Sequence, residues 1–198
     1  MTVRAPATAR SRRTRASLAQ AAHAYLAEHG TLNAETTAES AGVSTATFYS
    51  HFATHDDAIA AALDITLTAV VGVAERLFQI EALIEYGLSA VIDNLIIEMH
   101  GVFRRESLVM RTALARLPSH QPIREIYRRH EARSLEHLTR QIELGQKAGL
   151  LREGPHDRRA TTLLVLLQGL HNPLLTDPID AEVTADLHRS MYAVLDRS

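Results

Sequence analysis

The segment Ser44-Thr45-Ala46-Thr47-Phe48-Tyr49-Ser50-His51-Phe52 sets hydroxyls, a phenol and an imidazole around two bulky apolar rings. Uncharged hydrogen-bonding groups on a small surface suit contact with base edges and phosphates rather than catalysis. Upstream, residues 1 to 16 hold Arg4, Arg10, Arg12, Arg13 and Arg15 and no acid, although the whole chain has a formal net charge of -2. The remainder is therefore net negative. A basic arm on a mildly acidic body predicts that one end meets a polyanion, although the arm taken alone fits a solvated tail equally well.

Other chemistries find little support. There is no cysteine, which removes disulfides, thiolate metal sites and a thiol nucleophile. Residues 130 to 137, HEARSLEH, resemble a zinc-protease motif, but Ser134 stands where the second histidine belongs. His130 and His137 would lie about 10.5 Å apart along a helix, too far for one zinc, so a surface pair is the expectation. His51 and His55 are spaced like a metal pair but fall on different predicted helices, where a phosphate role suits them better. No glycine-rich phosphate loop or nucleophile elbow is present. No metal, cofactor or enzymatic activity is expected.

These residues are positioned by helices. At 198 residues and 46% hydrophobic, the chain can bury a core as one ordinary domain or two small ones. Leu18, Ala22, Tyr25 and Leu26 mark one face of a first helix that Gly30 ends. Asn33 is a predicted N-cap for a short second helix ended by Gly42. Ser44 caps a third, in which Val43 staples against Phe48 while Phe48 and Phe52 face inward. Ala46 and Ser50 then face outward, with Thr47 and Tyr49 on the flanks. Two short helices around a glycine turn form a helix-turn-helix, whose second helix must be small to enter a major groove.

The stretch AGVSTATFYSHFATHDDAI resembles the DNA-binding signature of TetR-family transcriptional regulators, with Ala41, Gly42, Val43, Ser44, Thr47, Phe48, Tyr49, His51, Phe52, Asp56 and Ile59 in place. The resemblance covers residues 12 to 60; beyond them it rests on length and helical pattern. It implies DNA contacts from Arg12, Arg13, Asn33, Ser44, Thr45, Ala46, Thr47, Tyr49, Ser50, His51 and His55. His55 stands where the family has a phosphate-contacting lysine, Glu35 where arginine is common, and Thr37 where a core aliphatic residue is usual. The recognition helix also lacks Arg, Lys, Asn and Gln, so the strong bidentate contacts to guanine or adenine are outside its reach. Weaker non-specific affinity, leaning on the arginine arm, is the expectation.

The rest reads as a regulatory body: long helices from Asp56 to Ile80, from Ala82 to Phe103 and from Ile123 to Ala148, a shorter one from Arg104 to Leu117, and two more closing the chain. The resemblance implies an effector pocket between body helices. Polar interruptions of apolar faces and their neighbours give the candidates Asn94, Glu98, Phe103, Met110, Tyr127, Gln168 and His171, each of which also fits a satisfied core group. The stripe Val183, Leu187, Met191, Val194 and the apolar run holding Leu163, Leu167 and Leu170 predict a shared surface. The resemblance makes this a four-helix dimer interface.

The expected architecture is all-α: a basic arm over residues 1–15, a three-helix DNA-binding domain over 16–60 and an effector-binding and dimerisation domain over 61–198. No stretch approaches about 18 consecutive apolar residues, and no apolar segment follows the N-terminal arginines, so a cytoplasmic protein without a membrane role is expected. The partners are double-stranded operator DNA, a small, largely apolar effector and a second copy. A helical small-molecule-binding or interaction protein with a degenerate helix-turn-helix is the alternative.

Overall fold

The computed structural model describes residues 8–172 and 180–197. Among them the chain forms nine helices: α1 (Ala9–His29), α2 (Ala34–Ser40), α3 (Thr45–His51), α4 (His55–Leu77), α5 (Ile80–Arg105), α6 (Ser107–Leu114), α7 (Gln121–Lys147), α8 (His156–Gly169) and α9 (Ala181–Leu195). They divide into two compact units, one taking the residues up to Thr66 with Leu108–Ile126, the other Leu67–Ser107 and the chain from Tyr127 on.

In the first unit, local chemistry sets the helix starts. Thr8 caps α1 by accepting from the Ser11 amide, so Arg10, Arg12, Arg13 and Arg15 lie on helix. The expected arm over residues 1–15 is thus corrected from Thr8 onward: a capped first turn continues directly into the amphipathic repeat. Residues 1–7 of that arm lie outside the described residues. Asn33 caps α2, its Oδ1 accepting from the amides of Glu35 and Thr36 at 3.0 and 3.1 Å. Gly42, at φ 69, supplies the left-handed turn before α3, a region L-residues seldom occupy. At the head of α4, Thr54 and Asp57 cap each other reciprocally, amide to carboxylate at 2.9 Å and amide to hydroxyl at 3.2 Å. Leu18, Ala22, Ala34, Ala38, Phe48, Phe52 and Ala58 close the core, with Val43 packed on its edge.

Among the described residues, three polar contacts tie the segment 108–126 to this unit. Thr112 Oγ1 donates to the Gly30 carbonyl at 2.8 Å. Arg116 Nε donates to Asp56 Oδ1 at 2.6 Å. His120 Nε2 stands 3.5 Å from Asp57 Oδ1, an ion-pair distance too long for a hydrogen bond. The helix expected through Leu117 ends at Leu114 and continues as turns.

The second unit is built on α5, α7, α8 and α9. Ile92, Leu95 and Ile96 of α5, Leu138 and Ile142 of α7, Leu163 and Leu167 of α8 and Met191 and Leu195 of α9 are fully or almost fully buried. Cross-links hold the elements in register. Arg133 grips Glu75 bidentately, both bonds 2.7 Å. Gln141 Oε1 accepts from the Ile80 amide at 2.9 Å, satisfying the start of α5 where Gln79 gives no side-chain cap. Arg159 Nη1 donates to the Val194 carbonyl at 2.8 Å, tying α8 to α9.

Two expectations change here. α5 is not continuous: Gly87 takes φ 79 and ψ 163 and breaks it after two turns. The surface histidine pair of α7 is not on the surface. His130 is buried, and half-buried His137 donates from Nε2 to the Phe78 carbonyl at 2.9 Å.

The window of α4 is long and apolar enough to cross a bilayer by length and composition, but 61% of it is buried within the protein. That is the pattern of a core helix.

Candidate nucleic-acid interface and effector region

α3 is held from behind and open in front. Phe48 and Phe52 are fully buried, 5.5 Å apart between ring centroids. Arg15 of α1 lays its guanidinium over the Phe52 ring, 4.4 Å from the centroid, and donates to the His51 carbonyl. Outward, Ala46, Tyr49 and Ser50 are exposed, while Thr45, Thr47 and His51 are half-buried. This is the orientation read from the helical period.

Several predicted contact residues also hold the helix together. Ser44 Oγ accepts from the Thr47 amide at 3.2 Å and lies 2.9 Å from Thr47 Oγ1. Ser50 Oγ donates back to the Thr47 carbonyl at 2.7 Å. Tyr49, 47% exposed, stacks on His55 of α4 with its hydroxyl 3.3 Å from Nε2. A phenol and an imidazole thus stand together at the edge of α3, and His51 and His55 fall on different helices, as expected. Arg12, Arg13 and Glu35 are exposed. Thr37 is fully buried, and its hydroxyl has no hydrogen-bond partner among the described residues.

No protein-family model and no curated protein matches the sequence. Solved structures do. A protein assigned to the TetR family of transcriptional regulators from Mesorhizobium loti MAFF303099 superposes with a TM-score of 0.70, covering 94% of this chain and 95% of its own at 18% identity. A TetR transcription regulator from Haloarcula marismortui ATCC 43049 gives 0.71, covering 92% and 96% at 21% identity. SmeT in complex with triclosan gives 0.67, covering 94% and 93% at 21% identity. This chain has the TetR-family fold.

Within the TetR-family fold the predicted effector residues divide. Asn94 and Glu98 are exposed, and Glu98 pairs with Arg76 at 3.8 Å. Both are corrected, because the buried stripe of α5 runs through Val91, Ile92, Leu95, Ile96, Met99 and Phe103, which turns Asn94 and Glu98 to solvent. Met110 is buried in the other unit, so it is not part of the same grouping. The remaining four gather in the second unit. Phe103 and His171 pack ring against ring at 5.5 Å, tilted 55°. Gln168 Nε2 donates to Glu131 Oε1 at 3.2 Å. Tyr127 sits one turn before Glu131 on α7. Its phenol is pushed above the ordinary value by burial first and by the Glu131 charge second. Burial pushes the His171 imidazole below its ordinary value, and its backbone contact with Gln168 offsets this in part. Sequence reasoning missed Glu131. Its signal was an acid in line with Tyr127, Ser134 and Leu138 on the inward stripe of α7.

The predicted dimer stripe is corrected in part. Leu163, Leu167, Leu170 and Met191 are buried in this protomer's own core, so they cannot face a second copy. Val183 is exposed, and Leu187 and Val194 are half-buried. The outward face of α8 is instead Asp157, Arg158, Thr161, Thr162, Val165 and Gly169, with Val165 60% exposed. A further grouping, Ser89 and Asp93 around His188, resembles a hydrolase relay. Both reach the same ring nitrogen, Nε2, at 3.1 and 3.6 Å. A relay needs its two partners on opposite nitrogens, so the arrangement ties α5 to α9.

Proposed function

We propose that the chain is a DNA-binding transcriptional regulator, acting in the cytoplasm as a homodimeric repressor that a small-molecule effector releases from its operator. The observation that carries this reading is the construction of α3: two fully buried phenylalanines lock a helix whose exposed face is small, hydroxylated and uncharged. Such a face fits a major groove. Thr45 and Ala46 would meet base edges, and Tyr49, His55, Arg12 and Arg13 would meet phosphates. One short helix reads few base pairs, so two copies related by a dyad would read two half-sites. The outward face of α8, uncharged from Thr161 to Gly169, with the exposed part of α9 supports such pairing. SmeT, which shares the fold, forms a complex with triclosan, which supports an effector site in the second unit. An effector releases DNA only by binding the DNA-incompetent state more tightly, and DNA lowers effector affinity by the same factor.

The test is a mobility shift on DNA taken from upstream of the protein's own reading frame, with unrelated competitor DNA. A retained, competitor-resistant complex is expected. Equal binding to all sequences, or none, would favour the alternative of a ligand-binding protein with a degenerate helix-turn-helix.

A further inference from the structure

Resting on the reading of α3 as the helix that enters the groove, we infer that the operator half-site is read through the 5-methyl groups of thymines, with the methyl groups of Ala46 and Thr45 as the reading surface, and not through hydrogen bonds to guanine. The hydroxyls around α3 are committed elsewhere. Ser50 is exposed, yet its Oγ donates to the Thr47 carbonyl at 2.7 Å. Ser44 Oγ and Thr47 Oγ1 lie 2.9 Å apart, so one of the two spends its proton on the other, and Ser44 Oγ also accepts from the Thr47 amide at 3.2 Å. The Tyr49 hydroxyl lies 3.3 Å from Nε2 of His55, and its ring stacks on the imidazole, which draws the phenol towards the head of α4.

In the major groove guanine presents only acceptors, N7 and O6, so reading it takes a donor. A hydroxyl has one proton to give. Ser50 would have to break a bond to its own helix to give it, and Ser44 and Thr47 keep one proton between them for outside use. α3 runs Thr45-Ala46-Thr47-Phe48-Tyr49-Ser50-His51, without the Arg, Lys, Asn or Gln side chains that supply paired donors. His51 is half-buried at the far end of the helix from Thr45 and Ala46. Ala46 is exposed and Thr45 is half-buried beside it, both in the first turn, the part of a recognition helix that approaches base edges. The apolar feature of the groove is the thymine methyl, and an apolar contact to it needs no donor and no broken bond. The code is then a pattern of methyl positions. 5-Methylcytosine carries its methyl where thymine does, so a cytosine that spoils a half-site should repair it in part once methylated.

The experiment starts from the half-site that the intact protein selects out of randomised DNA, which should fix thymine at one or two positions. Affinity of the unaltered protein is then measured on base analogues. Deoxyuridine at a fixed position removes only the methyl and should weaken binding about fourfold, the worth of one buried methyl-sized group. 7-Deazaguanine, which lacks the N7 acceptor, should leave affinity unchanged. Cytosine in place of a fixed thymine should lose binding, and 5-methylcytosine should recover part of it. In Ala46→Gly or Thr45→Ser the deoxyuridine penalty at the matching position should vanish, with circular dichroism reporting a folded protein. No deoxyuridine penalty at any fixed thymine, a 7-deazaguanine penalty of equal size, or a deoxyuridine penalty that survives in both variants would overturn the inference. A preferred sequence without the methyl effects overturns this inference alone, whereas a selection that returns no preferred sequence overturns the regulatory reading and the inference together.

Discussion

The Arg15 guanidinium lies over the Phe52 ring, 4.4 Å from the centroid, and also reaches the carbonyl of His51. This arginine therefore fastens α1 to the end of α3; Arg12 and Arg13 are exposed on the same helix. Arg15→Ala should lower the stability of the helix-turn-helix by about 1 kcal/mol, from the lost cation–π contact and hydrogen bond. Arg13→Ala should leave stability unchanged and reduce the slope of log K against log salt by about 0.9 for a lost phosphate contact. Thermal melts and salt-dependent binding check the pair; an equal effect of both variants on melting would refute the division of labour.

Tyr49→Phe should weaken binding to all DNA sequences alike, since a phosphate contact positions without specifying. Thr45→Ala should change which base is preferred in a half-site. Selection from a randomised operator library separates the two. A changed preference in Tyr49→Phe with none in Thr45→Ala would mean that α3 enters the groove the other way round.

The buried hydroxyl of Thr37 has no partner among the described residues. Thr37→Val keeps the shape and removes the unsatisfied group, whose burial costs about 1–3 kcal/mol. The variant should unfold at higher denaturant concentration with an unchanged slope. A loss of stability would show that the hydroxyl is satisfied in solution.

Met191 and Val165 should respond differently to a charge. Met191 is fully buried in the protomer, so Met191→Arg should unfold the second unit. Val165 is 60% exposed, so arginine there should be tolerated in a single protomer. If the outward face of α8 forms a dimer, Val165→Arg should give folded monomers that fail to hold operator DNA. Light scattering with circular dichroism decides, and a folded Val165→Arg dimer would move the interface elsewhere.

His171 gives a pH dependence of known sign. Burial lowers its pKa below the ordinary 6.5, so the unfolded chain takes up the proton more readily. Its contribution to stability is full above about pH 6.5 and is lost as the pH falls towards the lower folded value. His171→Phe should flatten that part of the pH–stability curve, and identical curves would place the ring in water.

The helix-turn-helix was legible because its signals are local. Asn33, Gly42 and Ser44 act on amides within three residues, and Phe48 and Phe52 declare their face by period. The second unit was less legible because helical period shows which residues share a face, not what covers it. The stripe through Met191 and the leucines of α8 reads as one wide apolar surface in either case; only the fold shows that this chain covers much of it. Asn94 and Glu98 looked inward because they lie among apolar residues, yet the buried stripe of α5 passes on either side of them. The return of residues 108–126 to the first unit rests on Thr112, Arg116 and His120 meeting Gly30, Asp56 and Asp57, pairs about 60 to 80 residues apart. No local pattern encodes such pairs.

Gly87 gives α5 a joint. At φ 79 and ψ 163 the residue occupies a region that glycine alone holds without strain, and nothing lies within 4 Å of where a side chain would start. The ladder of amide bonds stops there, so the first two turns and the long remainder can fray and exchange their protons independently. α5 is in effect a short arm and a long one meeting at one residue, and replacing that residue with alanine would stiffen nothing without first forcing the backbone into a different course.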